Sequence, residues 1–149
     1  MLIYGVCISD IDKINNEKAE ELLKELALQG HDLYLEEFED NRKDNSENNY
    51  EEYTVSSYLY DYESNNSYCG LSAFLRDVIS EVEGIDIECD DPNGIHYLGI
   101  SADAPWSFNE KTRNMSADEF RNILKKYISK VTDETLEFRW WNVCDDCDY

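Results

Sequence analysis

Basic residues are scarce in this chain: thirteen Lys and Arg stand against thirty-four Asp and Glu in 149 residues, for a formal charge of −21. A surface so short of cations is repelled by phosphates, which argues against direct binding of nucleic acid or an anionic membrane. Histidine is limited to two residues and glycine to six. No G-x-S-x-G, no H-E-x-x-H and no phosphate-cradling glycine loop occurs. Carboxylate pairs are too abundant for any one of them to mark acid–base chemistry. The expectation is therefore a protein that is not an enzyme and carries no cofactor. No apolar run approaches the ~18 residues of a membrane span, and the apolar stretch 2–8 has no basic flank and is too short for a signal-peptide core. A cytoplasmic location is expected. Five cysteines, odd in number and irregularly spaced, fit reduced thiols better than a disulfide framework.

What the chain has is apolar mass and acid. Apolar residues make up 42 % of it and nineteen side chains are aromatic, enough for one core, so a single domain over residues 1–149 is expected. Eleven of the aromatics are Tyr, which joins a packable ring to a polar tip and is favoured at protein contacts. A charge of −21 exceeds the net charge of about 2 to 8 that solubility asks of a small domain. Duplex DNA carries one charge per roughly 1.7 Å, so this total matches about 36 Å of duplex, and a domain of this length with a radius of gyration near ~15 Å is comparably long. Salt adaptation is the rival explanation. Thirteen Asn, eleven Ile and eight Lys beside the acids point instead to an AT-rich genome.

Periodicity gives an order β-α-β-β-α-β-β-α-β, an α+β fold with a mostly antiparallel sheet and about three helices on one face. Strands are expected at 2–8, 33–38, 53–62, 85–89, 95–101 and 136–143. One helix is expected after a cap at Asn15 or Asn16, with Ala19, Leu22, Leu23 and Leu26 on one face and Gly30 as its stop. A second carries Leu71, Phe74, Leu75, Val78, Ile79 and Val82 and ends at Gly84. A third starts at a capping box of Ser116 and Glu119 and carries Phe120, Ile123, Leu124, Tyr127, Ile128 and Val131. Residues 39–49 read as a mobile loop and 144–149 as an acidic tail. The first six elements share the ferredoxin-like order, a likeness of topology only.

The candidate contact residues are two acidic groups and a row of tyrosines. Glu36, Glu37, Glu39 and Asp40 form the first group. Glu81, Glu83, Asp86, Glu88, Asp90 and Asp91 form the second, with no base among them. On an extended strand, Tyr58, Tyr60 and Tyr62 would share one face. The bases Arg121, Lys125, Lys126 and Lys130 collect in the third helix, so one face should be more negative than another. Cys144-Asp145-Asp146-Cys147 is a C-x-x-C without a second pair; Cys7, Cys69, Cys89, His31 and His96 are scattered, which leaves no zinc pattern. Its place after the last strand, away from any helix N-terminus, also argues against redox use. A calcium loop aligned on Gly94 fails at Cys89 and Ile100. A nucleophilic pair such as Cys69 with His96 has little to support it.

The string from Gly99 to Lys111, with Pro105-Trp106 and Asn109-Glu110 leading into a helix, resembles a segment of uncharacterised small acidic proteins from phages of low-GC Gram-positive bacteria. The likeness spans residues 95–143. It carries no catalytic residues across; Trp106 and Phe108 are expected to cover the end of the core. What the resemblance implies is a partner: a basic nucleic-acid-binding protein of the host cell, a CRISPR effector or restriction nuclease, whose DNA channel an acidic mimic would occlude. An immunity protein that neutralises a basic toxin is the alternative.

Overall fold

The computed structural model describes residues 2–47, 52–62, 70–90, 94–101 and 108–143. Along the chain run β1 (Leu2–Cys7), a 3-10 turn (Ile8–Asp10), α1 (Asn16–Leu28), α2 (Leu33–Glu47), α3 (Val55–Asp61), α4 (Gly70–Glu83), β2 (Glu88–Asp90), β3 (Tyr97–Ser101), α5 (Glu110–Arg113), α6 (Ala117–Ile128) and β4 (Arg139–Asn142). The strands form one antiparallel sheet in the order β2-β3-β1-β4. The α+β class expected from the sequence holds.

The long apolar periodicities become helices as expected. Asn15 caps α1 by accepting from the Lys18 backbone N–H, and Ala19, Leu22, Leu23 and Leu26 are its buried face. Gly30 and Gly84, at φ 93° and 69°, occupy the left-handed conformation that lets the chain leave α1 and α4 without a Cβ penalty. Ser116 caps α6 by accepting from the Glu119 backbone N–H. β2 and β3 pair antiparallel, Cys89 opposite Leu98, within shorter ranges than the expected strands 85–89 and 95–101.

Two expected strands are helices, and the order of elements changes with them. Residues 33–38 belong to α2, which continues through most of the expected loop 39–49 as far as Glu47. Tyr34 and Phe38, four apart, are buried while Leu33 is 59 % exposed, a helical rather than an alternating pattern. Residues 53–62 hold α3 instead of a strand: Val55, Tyr58 and Leu59 are buried at i, i+3 and i+4. Thr54 and Ser57 close a reciprocal capping box at its start, each side chain taking the other's backbone N–H. β-prone residues form a helix here because packing outweighs their intrinsic preference. Among the described residues there are thus six helices rather than about three, and the ferredoxin-like order is lost. Residues 48 and 49, the tail 144–149, Cys69, Asp91 and Trp106 lie outside the described residues.

One apolar cluster reaches from Val6 through α1, α2, α3 and α4 to Val131. The sheet face bearing Tyr4, Val6 and Leu98 lies against α4 and α6, with Tyr4 6.3 Å from Phe120. The opposite face carries Tyr97, Arg139 and Trp141, as the registers require. There Gly5 faces Gly99, and a Cβ on Gly5 would meet the Leu98 carbonyl oxygen at 2.0 Å. The Trp141 indole N–H donates to the Gly5 carbonyl at 2.9 Å, covering the glycines. Phe108 is buried.

Phe74 is fully buried at the centre of the aromatic packing, whereas Leu28 is 90 % exposed. Phe74→Ala is expected to cost about 3–5 kcal/mol, and Leu28→Ala to stay within roughly 0.5 kcal/mol, in urea unfolding monitored by circular dichroism.

Candidate acidic docking face

Helix α2 turns its apolar residues inward, and this fixes where its acids go. Asp32, Glu36 and Asp40 recur every four residues and fall on one stripe, each step rising about 6 Å. Asp32, Glu36, Glu39 and Asp40 are all exposed. The charges acting most strongly on Glu36 are all negative: Asp32, which also hydrogen-bonds it, then Asp40 and Glu39, and together they push its carboxyl above the ordinary glutamate range. Arg42, a cation of the same helix, leans the other way, over the Phe38 ring at 4.8 Å and 3.5 Å from Glu20 of α1.

Beneath this rim, three tyrosine rings pack around Phe74. Tyr34, Tyr62 and Tyr58 lie 5.4, 5.6 and 6.2 Å from it, each near edge-on. Every one of their hydroxyls donates to a carboxylate: Tyr34 to Glu81 Oε2 at 2.7 Å, Tyr58 to Glu37 Oε2 at 2.9 Å and Tyr62 to Asp77 Oδ2 at 2.6 Å. Glu81 also meets His31 Nδ1 at 2.9 Å. These two contacts, Tyr34 first, hold the Glu81 carboxyl below its ordinary value. Burial, followed by the same carboxylates, pushes the Tyr34 and Tyr58 phenols well above theirs. Beside the layer a cleft of about 280 Å³ is lined by Glu37, Asn41, Tyr58, Asp61 and Tyr62. Glu37, Asp77 and Glu81 are therefore anchored on an aromatic base.

The structure brings Glu36, Glu37, Glu39, Asp40, Tyr58, Tyr62 and Glu81 to this side of the molecule. Tyr60 is separated from Tyr58 and Tyr62, because a helix, unlike a strand, does not align alternate residues; it is 48 % exposed. The second acidic group is dispersed. Glu83, two residues beyond Glu81, faces α6. Its burial opposes ionisation, but donors Tyr127 at 2.6 Å and Lys126 at 3.2 Å hold its carboxyl low. Asp86 accepts from the Asn109 backbone N–H at the start of α5. Glu88 and Asp90 lie on β2, opposite Gly99 and Tyr97. Adjacency in sequence does not survive a helix end and a strand. Sequence reading missed Tyr34, His31, Asp77 and Asp61; of these Tyr34 becomes visible once 33–47 is read with a helical period, and the others join it only through the packing of α3 and α4.

Charge is also divided along the chain. Residues 1–90 hold twenty-three acids and six bases, and residues 108–143 hold six acids and seven bases. Lys126 of α6 is engaged with Glu83, and Lys130, just beyond the helix, with Glu25 of α1. Among the described residues no group of three or more His, Cys, Asp and Glu is placed to hold a metal ion, and no helix is long and apolar enough to cross a membrane. Comparisons with family models, curated proteins and solved structures give no match.

The raised phenols carry a pH signature. The folded chain holds the protons of Tyr34, Tyr58 and Tyr127 more tightly than the unfolded chain does, so their stabilisation is complete below the ordinary phenol value of about 10 and is lost as pH rises past it. Urea midpoints should fall above that pH, and phenolate absorbance should show these tyrosines ionising only on unfolding. A Tyr34→Phe/Tyr58→Phe variant should lose part of the alkaline decline.

Proposed function

We propose that this chain works by binding rather than by chemistry: the acidic face built on α2 occupies the basic nucleic-acid channel of a host defence nuclease of the CRISPR or restriction kind. The observation that carries this reading is the exposed stripe Asp32, Glu36, Asp40 with Glu39 beside it, where the neighbouring acids raise the proton affinity of Glu36. Crowding of this kind opposes folding, since like charges four apart on a helix repel. Lys and Arg of a partner would relieve that repulsion as they pair, so the crowding that costs the free protein favours the complex. The tyrosine layer supports this use because it ties α2, which carries the stripe, to α3 and α4.

Occlusion needs no group on the inhibitor to react. The α2 acids stand in for phosphates, and the partner's channel is closed to DNA by excluded volume and by neutralised charge. The assignment of the partner to a defence nuclease rests on the phage resemblance of residues 95–143; a basic channel as the docking surface rests on the charge of α2 itself.

The test is association with a CRISPR or restriction nuclease, followed by surface plasmon resonance at several salt concentrations. Affinity should fall by about tenfold or more from low to moderately high salt, and DNA should compete. Glu36→Gln, Glu39→Gln and Asp40→Asn together should slow association several-fold with little change in stability. Glu110→Gln, Glu119→Gln and Glu137→Gln remove the same charge from the near-neutral segment and should leave the rate nearly unchanged. Equal slowing by both sets would contradict the placement of the face.

A further inference from the structure

The cleft beside the tyrosine layer has a hydrogen-bonding character that goes beyond its acidity. One turn of α2 supplies Glu37 and Asn41, and the last turn of α3 with its cap supplies Tyr58, Asp61 and Tyr62. Each donor group among these side chains already has an acceptor. The Tyr58 hydroxyl donates to Glu37 Oε2, the Tyr62 hydroxyl to Asp77 Oδ2, and the Asn41 amide nitrogen to the Tyr53 hydroxyl at 3.3 Å. What they leave is acceptor capacity: the second oxygen of Glu37, the Asn41 carbonyl, the phenol lone pairs and both oxygens of Asp61. The cations nearest in sequence are directed elsewhere, Arg76 to Asp77 and Arg42 to Glu20, and among the described residues no Lys or Arg lines the cleft.

Asp61 is the member that the fold explains least. It is the last residue of α3, the negative end of a helix, where a carboxylate is disfavoured. Burial, and after it the charge of Asp61, raise the Tyr53 phenol, so this carboxylate acts toward the side where Asn41 bonds Tyr53.

We infer that this cleft receives the guanidinium of an arginine side chain presented by a partner protein. A guanidinium is a planar fork of N–H donors with no acceptor, and it stacks on aromatic faces while it pairs with carboxylates. The cleft offers the complement of each property. Glu37 and Asp61 bring one carboxylate from each helix, and the partly buried Tyr62 ring stands beside the buried Tyr58. A lysine ammonium, compact and strongly hydrated, gains less from the rings. At about 280 Å³ the cleft suits a side chain rather than a drug-sized molecule. That the arginine comes from a nuclease rests on the function proposed above; the chemistry of the cleft does not.

L-Argininamide and L-lysinamide carry the same charge, so comparing them separates guanidinium fit from general attraction to a chain of charge −21. In an NMR titration of the full chain, argininamide should shift the Asn41 side-chain amide and the Asp61 and Tyr62 backbone amides saturably, binding about threefold or more tighter than lysinamide. Asp61→Asn should weaken argininamide by about threefold or more while its urea midpoint holds or rises, because it removes a charge from the negative end of α3. Glu36→Gln, on the exposed stripe, should change the affinity by less than about twofold. Equal binding of the two amides, shifts confined to residues 32–40, a response that never saturates, or an Asp61→Asn chain that binds argininamide unchanged would each overturn the inference. A nuclease bound by a chain whose cleft ignores argininamide would overturn this inference and leave the proposed function standing; argininamide seated in the cleft of a chain that binds no nuclease would do the reverse.

Discussion

The rest of the structure depends on three phenol hydroxyls meeting three carboxylates above Phe74. Tyr34, Tyr58 and Tyr62 belong to α2, α3 and the end of α3, while Glu37, Asp77 and Glu81 belong to α2 and α4. Each bond satisfies a polar tip that aromatic packing would otherwise leave stranded, and each holds a negative charge at the boundary of the core. These contacts tie three helices together, and the one from Tyr34 also holds the Glu81 carboxyl below its ordinary value.

Elsewhere the chain uses its acids in the ordinary structural way. Glu134 accepts from the Asp12 and Lys13 backbone N–H groups and is held low by them, joining the segment after β1 to the one before β4. Asp133 is held low by Lys18 and then Asn15 at the start of α1. Glu83 ties α4 to α6 through Tyr127 and Lys126. These acids lower their own proton affinity by finding donors, and each loses its stabilising effect as pH falls through its depressed value. Glu36 behaves in the opposite sense: its raised carboxyl is relieved, not harmed, by acid. That contrast separates the acids that build the fold from those left facing outward.

The sequence made some of this legible for identifiable reasons. Helices α1, α4 and α6 carry apolar residues at helical spacing over three turns or more, with Asn15, Ser116, Gly30 and Gly84 as punctuation, and they stand where expected. α2 and α3 were opaque because short apolar runs such as Leu33-Tyr34-Leu35 and tyrosine-rich runs such as Tyr58-Leu59-Tyr60 read equally as strand. Their helical state comes from burying Tyr34, Phe38, Tyr58 and Leu59 against α1 and α4, which a local window does not see. The local signal for α3 was the Thr54–Ser57 box. The acidic group on α2 persisted in space because one helix carries it. The group from Glu81 onward scattered because a helix end, a connecting segment and a strand divide it.

The central claim is that the like charges of Asp32, Asp40 and Glu39 crowd Glu36 on α2. Carbon-detected NMR titration of the side-chain carboxyls at low salt measures this most directly. The account predicts that Glu36 protonates above the ordinary glutamate value and Glu81 below it, and that the Glu36 midpoint moves down when salt is added. A Glu36 that titrates at the ordinary value, indifferent to salt, would contradict it.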